Sequence, residues 1–439
     1  MATSTLTQRA ETDFGARLAS KPKLLFLACY FPPLQGSACV RTYNIAKYLA
    51  RLGWDVTVVT PDPSVWRHLD ASAARSIGSE NGSLRRLLTG HRWRCLSPHT
   101  LNVPNHGLGW VAGGLCRRVA RSIGIDQGMG WIQEAEKSCL GLSDRDVDLI
   151  LASGPPFAGF HLAERLARRW RRPYVLDYRD PWVLQPKPGL AGLFGKSEQE
   201  LVERAAAVTA ISTSLLATPI AGRPNFHVVT NGFDPEEMAS VLPQPFDHFA
   251  IVYTGIFYPP KRVVTPVMRA LRILKERLNG GERPWRFHYY GPQGDHVQAE
   301  ARRCGVLEHV ETHGRVSRAE ALSAIRGAGV AIVITSVLED KAQADKGIVT
   351  GKLFDAIGLG TPTVIVGPSG ADLETIVETT GLAAQVPASE VERLAALLSD
   401  AMSGHTPSPK RPDTYAWPTL IKRLDDILKG CLPMAAGRP

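Results

Sequence analysis

The stretch KLLFLACYFPPLQGSACVRTYNIAKYLARLGWDVTVVT, residues 23–60, predicts the fold of the chain. It begins with a short apolar run, 23–29, that is typical of a fully buried strand. A loop rich in Pro and Gly follows, then a helical pattern that stops near Gly53, then a second strand at 55–60. Strand, loop, helix and strand in this order form a βαβ unit, whose right-handed crossover makes the sheet parallel.

The same alternation continues beyond this unit. After a segment that we predict to be irregular, 64–140, strands are predicted at 147–152, 174–177, 208–211 and 227–230, with helices at 160–171 and 197–206. A Pro-rich break at 242–246 precedes a second series. Its strands are predicted at 251–254, 287–290, 310–313, 330–334 and 363–366, and its helices at 264–278, 297–304, 318–326, 351–359 and 389–402. The alternation predicts two parallel sheets in tandem.

We therefore expect an α/β protein with two Rossmann-like, doubly wound domains that face an interdomain cleft. A polar tail, 1–20, precedes a first domain at 21–238, and a second domain follows at 239–405. A last amphipathic helix within 406–430 is expected to pack back on the first domain.

Composition narrows the class of protein. The chain has 439 residues, more than one hydrophobic core usually serves. Its first residues lack the apolar region of a secretory signal, and no run of eighteen apolar residues occurs. The seven cysteines are scattered and never spaced C-x-x-C, which argues against disulfides and thiolate zinc sites. The sequence predicts a soluble cytoplasmic protein.

The formal charge of +9 is concentrated in residues 64–121, where nine basic residues face two acidic ones. Tryptophans and leucines are interleaved with these cations, a pattern that suits an anionic membrane surface. A solvated basic insertion explains the same composition. Nucleic acid is not predicted as a partner, because no known binding motif accompanies the charge.

Four segments lie where strands give way to helices, at the edge where such folds bind ligands. They are Pro32–Ser37, Tyr253–Gly255, Tyr290–Gly294 and Lys346–Asp355. No G-x-G-x-x-G motif occurs, which disfavours a nicotinamide oxidoreductase.

These motifs and their order resemble glycosyltransferase family 4 over essentially the whole chain. The resemblance lies in YFPPLQGS (30–37) with Arg41, LGWDVTVV (52–59), SGPP (153–156), LDYRDPW (176–182), TNGFD (230–234), YTG (253–255) and GKLFDAIGLGTPTV (351–364). It implies the GT-B fold and retaining transfer from a UDP- or GDP-sugar, which is a co-substrate, to a glycan or lipid-linked acceptor in surface polysaccharide or glycolipid synthesis. No obligatory cofactor and no metal ligands are expected. Two alternatives stay open: a non-catalytic GT-B subunit that binds nucleotide sugar or a partner enzyme, and a nucleotide-sugar epimerase.

The resemblance also assigns a donor site. Asp355 occupies the second position of the family's acidic pair and would accept hydrogen bonds from the ribose, whereas the first position falls on Gly347. Cations and backbone N–H groups are needed on the diphosphate, because charge develops on the leaving phosphate. The candidates are Gly36, Gly255, Lys261, Arg262, Gly347, Thr350, Gly351 and Lys352, with Gly347 contributing its backbone N–H. For Lys352 the alternative is an exposed lysine in a first helical turn, and for Arg262 a surface arginine.

On the acceptor side, charged residues cluster at the end of a predicted strand. We predict Asp180 and Arg179 as catalytic groups, with Arg262 opposite. The residues expected to face the acceptor are Arg41, Ser153, His161 and Asp177. A mutually satisfied ion pair is the alternative for the strand-end cluster, and a helix-surface position is the alternative for His161. Asn231 and Asp234 are expected to cap the interdomain turn.

Overall fold

The computed structural model describes most of the chain. The described residues are 21–34, 36–65, 69, 84–89, 129–182, 198–213, 215, 224–278, 284–338, 349–368, 370–381, 384–405 and 409–433. They form two parallel sheets with helices, which confirms the predicted two-domain, doubly wound α/β architecture.

The first domain has a seven-stranded sheet. Its strands are β1 (Lys23–Leu27), β2 (Asp55–Pro61), β3 (Leu84–Thr89), β4 (Leu149–Gly154), β5 (Tyr174–Tyr178), β6 (Ala207–Ala210) and β7 (Phe226–Val228). Its helices are α1 (Ser37–Arg51), α2 (Met129–Ser138), α3 (Ala158–Trp170) and α4 (Glu198–Arg204). The strand order β3-β2-β1-β4-β5-β6-β7 reverses direction between β1 and β4. Ligands bind outside the carboxyl ends of the strands at such a switch point.

A six-stranded sheet forms the second domain, after the short connecting helix α5 (Pro235–Ser240). Its strands are β8 (Phe249–Thr254), β9 (Trp285–Tyr290), β10 (Val310–Gly314), β11 (Val330–Ile334), β12 (Thr363–Val366) and β13 (Ala384–Val386). Its helices are α6 (Thr265–Leu278), α7 (Gly294–Cys304), α8 (Arg318–Gly327), α9 (Gly351–Leu359), α10 (Ala371–Thr380) and α11 (Val391–Met402). The order β10-β9-β8-β11-β12-β13 places the second switch point between β8 and β11.

The last helix, α12 (Trp417–Gly430), lies on the first domain. Its apolar residues Trp417, Ile421 and Leu424 are buried in one core with the side chains of α1 and β1. Buried Trp54 donates a hydrogen bond from its indole to Asp425 of this helix at 2.8 Å. The chain therefore crosses from the first domain to the second and returns.

The connecting helix α5 is held by both domains. Asp234 caps it, as predicted, by accepting a hydrogen bond from the backbone N–H of Glu236 at 3.0 Å. The same carboxylate pairs with Lys47 of α1 at 2.7 Å. On the other side, Glu237 pairs with Arg318 of α8 at 2.7 Å. The domain connection is thus fixed by ion pairs at both ends.

The prediction that 64–140 is irregular was wrong where β3 and α2 form. Leu84 is buried and Leu87 packs against the core, because β3 pairs in parallel with β2. Arg85 pairs with Asp55 at 2.9 Å, and Arg86 donates to the Pro32 carbonyl at 2.9 Å. These side chains are thus partly committed to the fold. Within the described part of the chain, no helix combines the length and apolar character that a membrane span requires.

Candidate active site

The two switch points face each other across one cleft. Gly351 begins α9 in the second domain, and Ser37 begins α1 in the first. A Cβ atom built on Gly351 would lie 3.7 Å from the Cβ of Ser37. The N-termini of the two helices therefore meet in the cleft, and their free N–H groups and dipoles both favour an anion there.

A lysine at the start of α9 lies against a glycine that directly follows β8. Gly255 follows β8 with a backbone φ of 137°, and a Cβ placed on it would lie 1.8 Å from Nζ of Lys352. Only glycine leaves room for this ammonium group. Burial, and then the neighbouring charge of Arg262, lowers the pKa of Lys352 to about 7. Lys352 makes no ion pair or hydrogen bond with the residues that the structure describes.

The second cation, Arg262, lies on a closed turn. The backbones of Tyr258 and Arg262 exchange two hydrogen bonds, at 2.9 and 3.0 Å, and the guanidinium lies 5.6 Å from the centre of the Tyr258 ring. Nε of Arg262 is buried and has no hydrogen-bond partner among the described residues. Lys261 is exposed, and its carbonyl accepts from the N–H of Val337 at 2.7 Å, which ties the turn to the end of β11.

Three buried hydroxyl groups at the same edge of the second sheet also lack a described partner. They belong to Tyr253 near the end of β8, Thr335 just after β11, and Thr350 just before α9. Buried polar groups are nearly always hydrogen-bonded, so such groups at a ligand-binding edge indicate a ligand. Thr350 was predicted. Tyr253 lies in a predicted ligand-binding segment but was given no role of its own, and Thr335, which directly follows a predicted strand, was missed.

Asp355 lies one turn into α9 and is held by an arginine that the sequence reasoning missed. Arg318 pairs with Asp355 at 2.8 Å and with Glu237 of the connecting helix at 2.7 Å. The carboxylate of Asp355 thus links the donor side of the cleft to the domain connection. Its contact with ribose stays a prediction, and Gly347 lies outside the described residues.

On the first-domain side, Arg179 and Asp180 follow β5. Arg179 donates to the Pro155 carbonyl and lies 5.6 Å from the centre of the Tyr30 ring. Asp180 is an exposed residue, but nearby protein atoms displace part of the water around its carboxyl group. This desolvation raises the pKa of Asp180, although Arg179 and Arg262 act in the opposite direction. Arg262 belongs to the second domain. Because its charge acts on the pKa of Asp180, the two side chains lie near each other across the cleft.

Three residues predicted to face an acceptor form a buried network instead. Arg41 holds Asp177 with two hydrogen bonds, at 2.6 and 3.1 Å, and both side chains are 1% exposed. Ser153 and Thr209 donate to the same carboxylate at 2.7 and 2.9 Å. Burial raises the pKa of Asp177, but Arg41 and the two hydroxyls outweigh burial and lower it. The interpretation of Arg41, Ser153 and Asp177 as acceptor contacts does not fit this geometry, because their polar atoms bind each other.

The remaining two predicted site residues, Gly36 and His161, differ in their exposure to solvent. Gly36 precedes α1 with a φ of 146° and is exposed, and a Cβ placed on it meets no atom within 4 Å. It therefore leaves space on the first-domain side of the cleft. His161 is buried in α3 with its ring centre 5.5 Å from that of Trp182, and burial, then Arg165, lowers its pKa to about 4. His161 is a neutral packing residue, which neither the predicted cleft position nor the helix-surface alternative describes.

Two Rossmann-like domains whose switch points face one cleft form the GT-B architecture of glycosyltransferases. Residues 38–232 match the family model of the glycosyl transferase 4-like domain. The chain is therefore a glycosyltransferase whose first domain is glycosyl transferase 4-like. No curated protein matches it in sequence.

Solved structures of similar fold cover nearly the whole chain. A sucrose-phosphate synthase from Thermosynechococcus elongatus is 14% identical, with 93% of this chain and 98% of that chain covered and a TM-score of 0.61. The Anabaena protein HepE in complex with UDP is 15% identical, with 93% and 99% covered and a TM-score of 0.54. An E. coli trehalose-6-phosphate structure bound with UDP-2-fluoro glucose is 13% identical, with 93% and 96% covered and a TM-score of 0.54.

Proposed function

We propose that the chain transfers a sugar from a UDP- or GDP-linked donor to a glycan or lipid-linked acceptor, with retention at the anomeric carbon. The observation that carries this proposal is the pair of cations, Lys352 and Arg262, beside the N-terminus of α9. Negative charge develops on the phosphate as a nucleoside diphosphate leaves, and fixed cations stabilise that charge. The UDP and UDP-sugar in two of the similar structures support a uridine donor.

In this proposal the second domain holds the donor and the first holds the acceptor. Lys352, Arg262 and the N–H groups of α9 bind the diphosphate, and Asp355 binds the ribose. The open space beside Gly36 admits the sugar or the acceptor. Asp180 faces Arg262 across the cleft, where a carboxylate can accept a hydrogen bond from the acceptor hydroxyl and orient it.

Ligand-induced stabilisation tests the donor site first. We expect UDP or GDP, but not NAD, to raise the melting temperature, because a ligand at 100 times its dissociation constant adds about 2.7 kcal/mol. Asp355→Ala is expected to weaken UDP binding about tenfold because the ribose contact is lost, and the ligand-free melting temperature measures separately the loss of its ion pair with Arg318. Stabilisation by NAD alone, or an unchanged response of Asp355→Ala to UDP, contradicts the assignment.

Product analysis then tests the reaction. The purified chain with a UDP- or GDP-sugar and an acceptor extract is expected to form a new glycosidic bond. Turnover of the donor to an epimer without acceptor would identify an epimerase. Transfer that occurs only beside a second protein would favour the non-catalytic subunit.

We further propose that the enzyme is cytoplasmic, acts in the synthesis of a surface polysaccharide or glycolipid, and rests on an anionic membrane through 64–121. The excess of nine basic over two acidic residues in this segment supports the proposal. The test reverses the charges of Arg92 and Arg94, and Arg303 and Arg393, exposed arginines of the second domain, serve as the control. Sedimentation with anionic liposomes should weaken for Arg92→Glu/Arg94→Glu and stay nearly unchanged for Arg303→Glu/Arg393→Glu. Equal sedimentation of all variants contradicts it.

A further inference from the structure

A cluster of three histidines and two carboxylates lies away from the cleft residues, at the edge of the second sheet. His288 lies on β9, Glu311 and His313 lie on β10, and Asp247 and His248 immediately precede β8. Glu311 is the register partner of His288 in the parallel pair. The register shifts between Thr312 and Gly314. His313 lies on the His288 side, with its Nε2 atom 2.9 Å from Nδ1 of His288, and its ring stacks on Tyr290 with 4.2 Å between ring centres.

The donor atoms of three of these residues have the separations that a metal ion requires. Nδ1 of His288 lies 2.9 Å from Nε2 of His313 and 3.5 Å from Oε2 of Glu311, and the three donor atoms all lie within 4.8 Å of one another. Two ligands bound to tetrahedral zinc at about 2.1 Å lie roughly 3.4 Å apart. The two distances measured from Nδ1 of His288 are within about 0.5 Å of this separation.

The second nitrogen of His288 is oriented by further hydrogen bonds. Nε2 of His288 lies 2.7 Å from Nε2 of His248, and Nδ1 of His248 lies 2.5 Å from Oδ1 of Asp247. With Nδ1 of His288 on a metal, its Nε2–H donates to His248, whose Nδ1–H in turn donates to Asp247. Metal-binding histidines usually donate their other N–H to such a partner, which fixes the ring and raises its basicity.

The surroundings also suit a metal. The His288 side chain is 2% exposed, whereas the Glu311 side chain is 37% exposed. One ligand is therefore buried in the domain, and the other lies where an ion can enter from solvent. One oxygen of Glu311 pairs with Arg286, which leaves the other oxygen directed at His288.

We propose that His288, Glu311 and His313 bind one divalent transition-metal ion, of which zinc fits best, with an open position toward the neighbouring cavity. Two imidazoles and one carboxylate are ligands that zinc takes. The cavity, of about 520 Å³, is lined by these side chains and by residues 244–248, the last part of the domain connector. Metal binding thus joins the edge of the second sheet to the segment that links the domains. This site is separate from the transfer reaction proposed above.

Metal titration of the untagged full-length chain tests the site. After chelator treatment, Zn²⁺ is titrated by calorimetry, and Co²⁺ is followed by its visible absorption. We expect one tight equivalent, with Co²⁺ bands typical of four or five ligands. His313→Ala and Glu311→Gln should bind at least about 100-fold more weakly, and His248→Gln about 10- to 100-fold more weakly, as for outer hydrogen-bond partners. His309→Asn is the matched control, because His309 stacks on Trp285 outside the cluster.

The variants at 311 and 313 change partly exposed side chains, so their metal-free melting temperatures verify folding. Equal affinity of His309→Asn and His313→Ala would mean adventitious binding by surface histidines and would overturn the proposal. Absence of a tight equivalent in the unaltered chain would also overturn it. The cluster would then be a chain of neutral, hydrogen-bonded imidazoles, with His313 donating to His288.

Discussion

The carboxyl edges of the two sheets carry charged side chains of opposite character. In the first domain, Arg41 and Asp177 are 1% exposed, and their bonds run to each other and to neighbouring protein groups. In the second, Lys352 and Arg262 lie close together and form no ion pair with the described residues, although the charges of Asp355 and Asp180 are near enough to act on them. The paired charges of the first domain stabilise the fold, whereas the two cations of the second domain are available to bind an anion. A motif that contains charged residues therefore does not by itself distinguish scaffold from binding site.

The two arrangements differ in how their removal affects the free energy of folding. Breaking a buried ion pair leaves one uncompensated charge in a medium of low dielectric constant, which is strongly destabilising. Removing one of two crowded cations relieves repulsion and desolvation, so it stabilises the free protein while it weakens binding. Stability and ligand affinity should therefore change together in the first domain and in opposite directions in the second.

The largest effect is expected at the buried pair. Asp177→Ala should lower the free energy of unfolding by about 3–5 kcal/mol, because Arg41 remains buried without its partner. Denaturant titration measures this loss. The double variant Arg41→Met/Asp177→Leu should lose less than Asp177→Ala alone, since it leaves no buried charge.

An exposed pair in the same sheet provides the control. Arg85 and Asp55 lie 2.9 Å apart, with the arginine side chain 61% exposed. Arg85→Ala should cost no more than about 1 kcal/mol, because solvent screens exposed pairs. Equal losses in Asp177→Ala and Arg85→Ala would show that the burial of Arg41 and Asp177 carries no special weight.

The next effect is expected at Lys352. Lys352→Met should weaken binding of UDP and of inorganic diphosphate about 10- to 100-fold, because a charge-assisted hydrogen bond is lost. The same variant should raise the unfolding free energy of the ligand-free chain by about 1 kcal/mol. Calorimetric titration and thermal melting measure the two changes.

Lys275→Met is the matched control, since that lysine pairs with Glu308 at 2.5 Å on the outside of the second domain. It should leave nucleotide affinity unchanged. A Lys352→Met variant that binds diphosphate as tightly as the unaltered chain contradicts the site.

Most of the fold could be predicted from periodicity. The buried strand β11 and the helix α9 have the predicted bounds, because a continuous apolar run and a clear helical stripe mark them. Strand β3, LRRLLT, was missed because two arginines interrupt its alternation at the sheet edge. Helix α10 was missed because its acidic and threonine residues blur the apolar stripe. The local sequence pattern predicts helices and strands with a clear apolar run or stripe. It does not predict elements that form because they pair or pack with a neighbouring element.

The site was harder to predict than the fold. Lys352, Gly255 and Arg262 were named from the sequence because they follow strands or begin a helix in recognisable motifs; the structure brings them together, and their role in donor binding stays a prediction. Arg318 was missed because its partners, Glu237 and Asp355, lie on two other helices. The direction of Asp177 was also misjudged, since sequence shows a residue at a strand end but not which neighbours meet its side chain. Side-chain pairing across distant segments depends on tertiary packing.

A matched pair of glycines sharpens the comparison of the two domains. Gly36 and Gly255 have similar backbone φ angles, 146° and 137°, but a Cβ meets no atom within 4 Å at Gly36 and lies 1.8 Å from Nζ of Lys352 at Gly255. Gly255→Ala should weaken UDP binding about tenfold or more, because the methyl group displaces the lysine. Gly36→Ala should show only the backbone strain, about 1–3 kcal/mol of stability, which both variants share. Equal UDP affinities in the two variants would mean that the position of Lys352 has no influence on binding.

The last prediction concerns the response of UDP binding to pH, which separates the charge of residue 352 from its position. The pKa of Lys352 is lowered to about 7 in the free chain, whereas an unfolded lysine titrates near 10.4. Between these values the unfolded chain binds more protons, so the contribution of Lys352 to stability rises with pH. A bound anion requires the charged ammonium, so UDP affinity should fall with pH above about 7, by up to tenfold per unit. Lys352→Arg keeps its charge and should flatten this decline between pH 7 and 9, whereas a decline of the same slope in both proteins would assign it to another group.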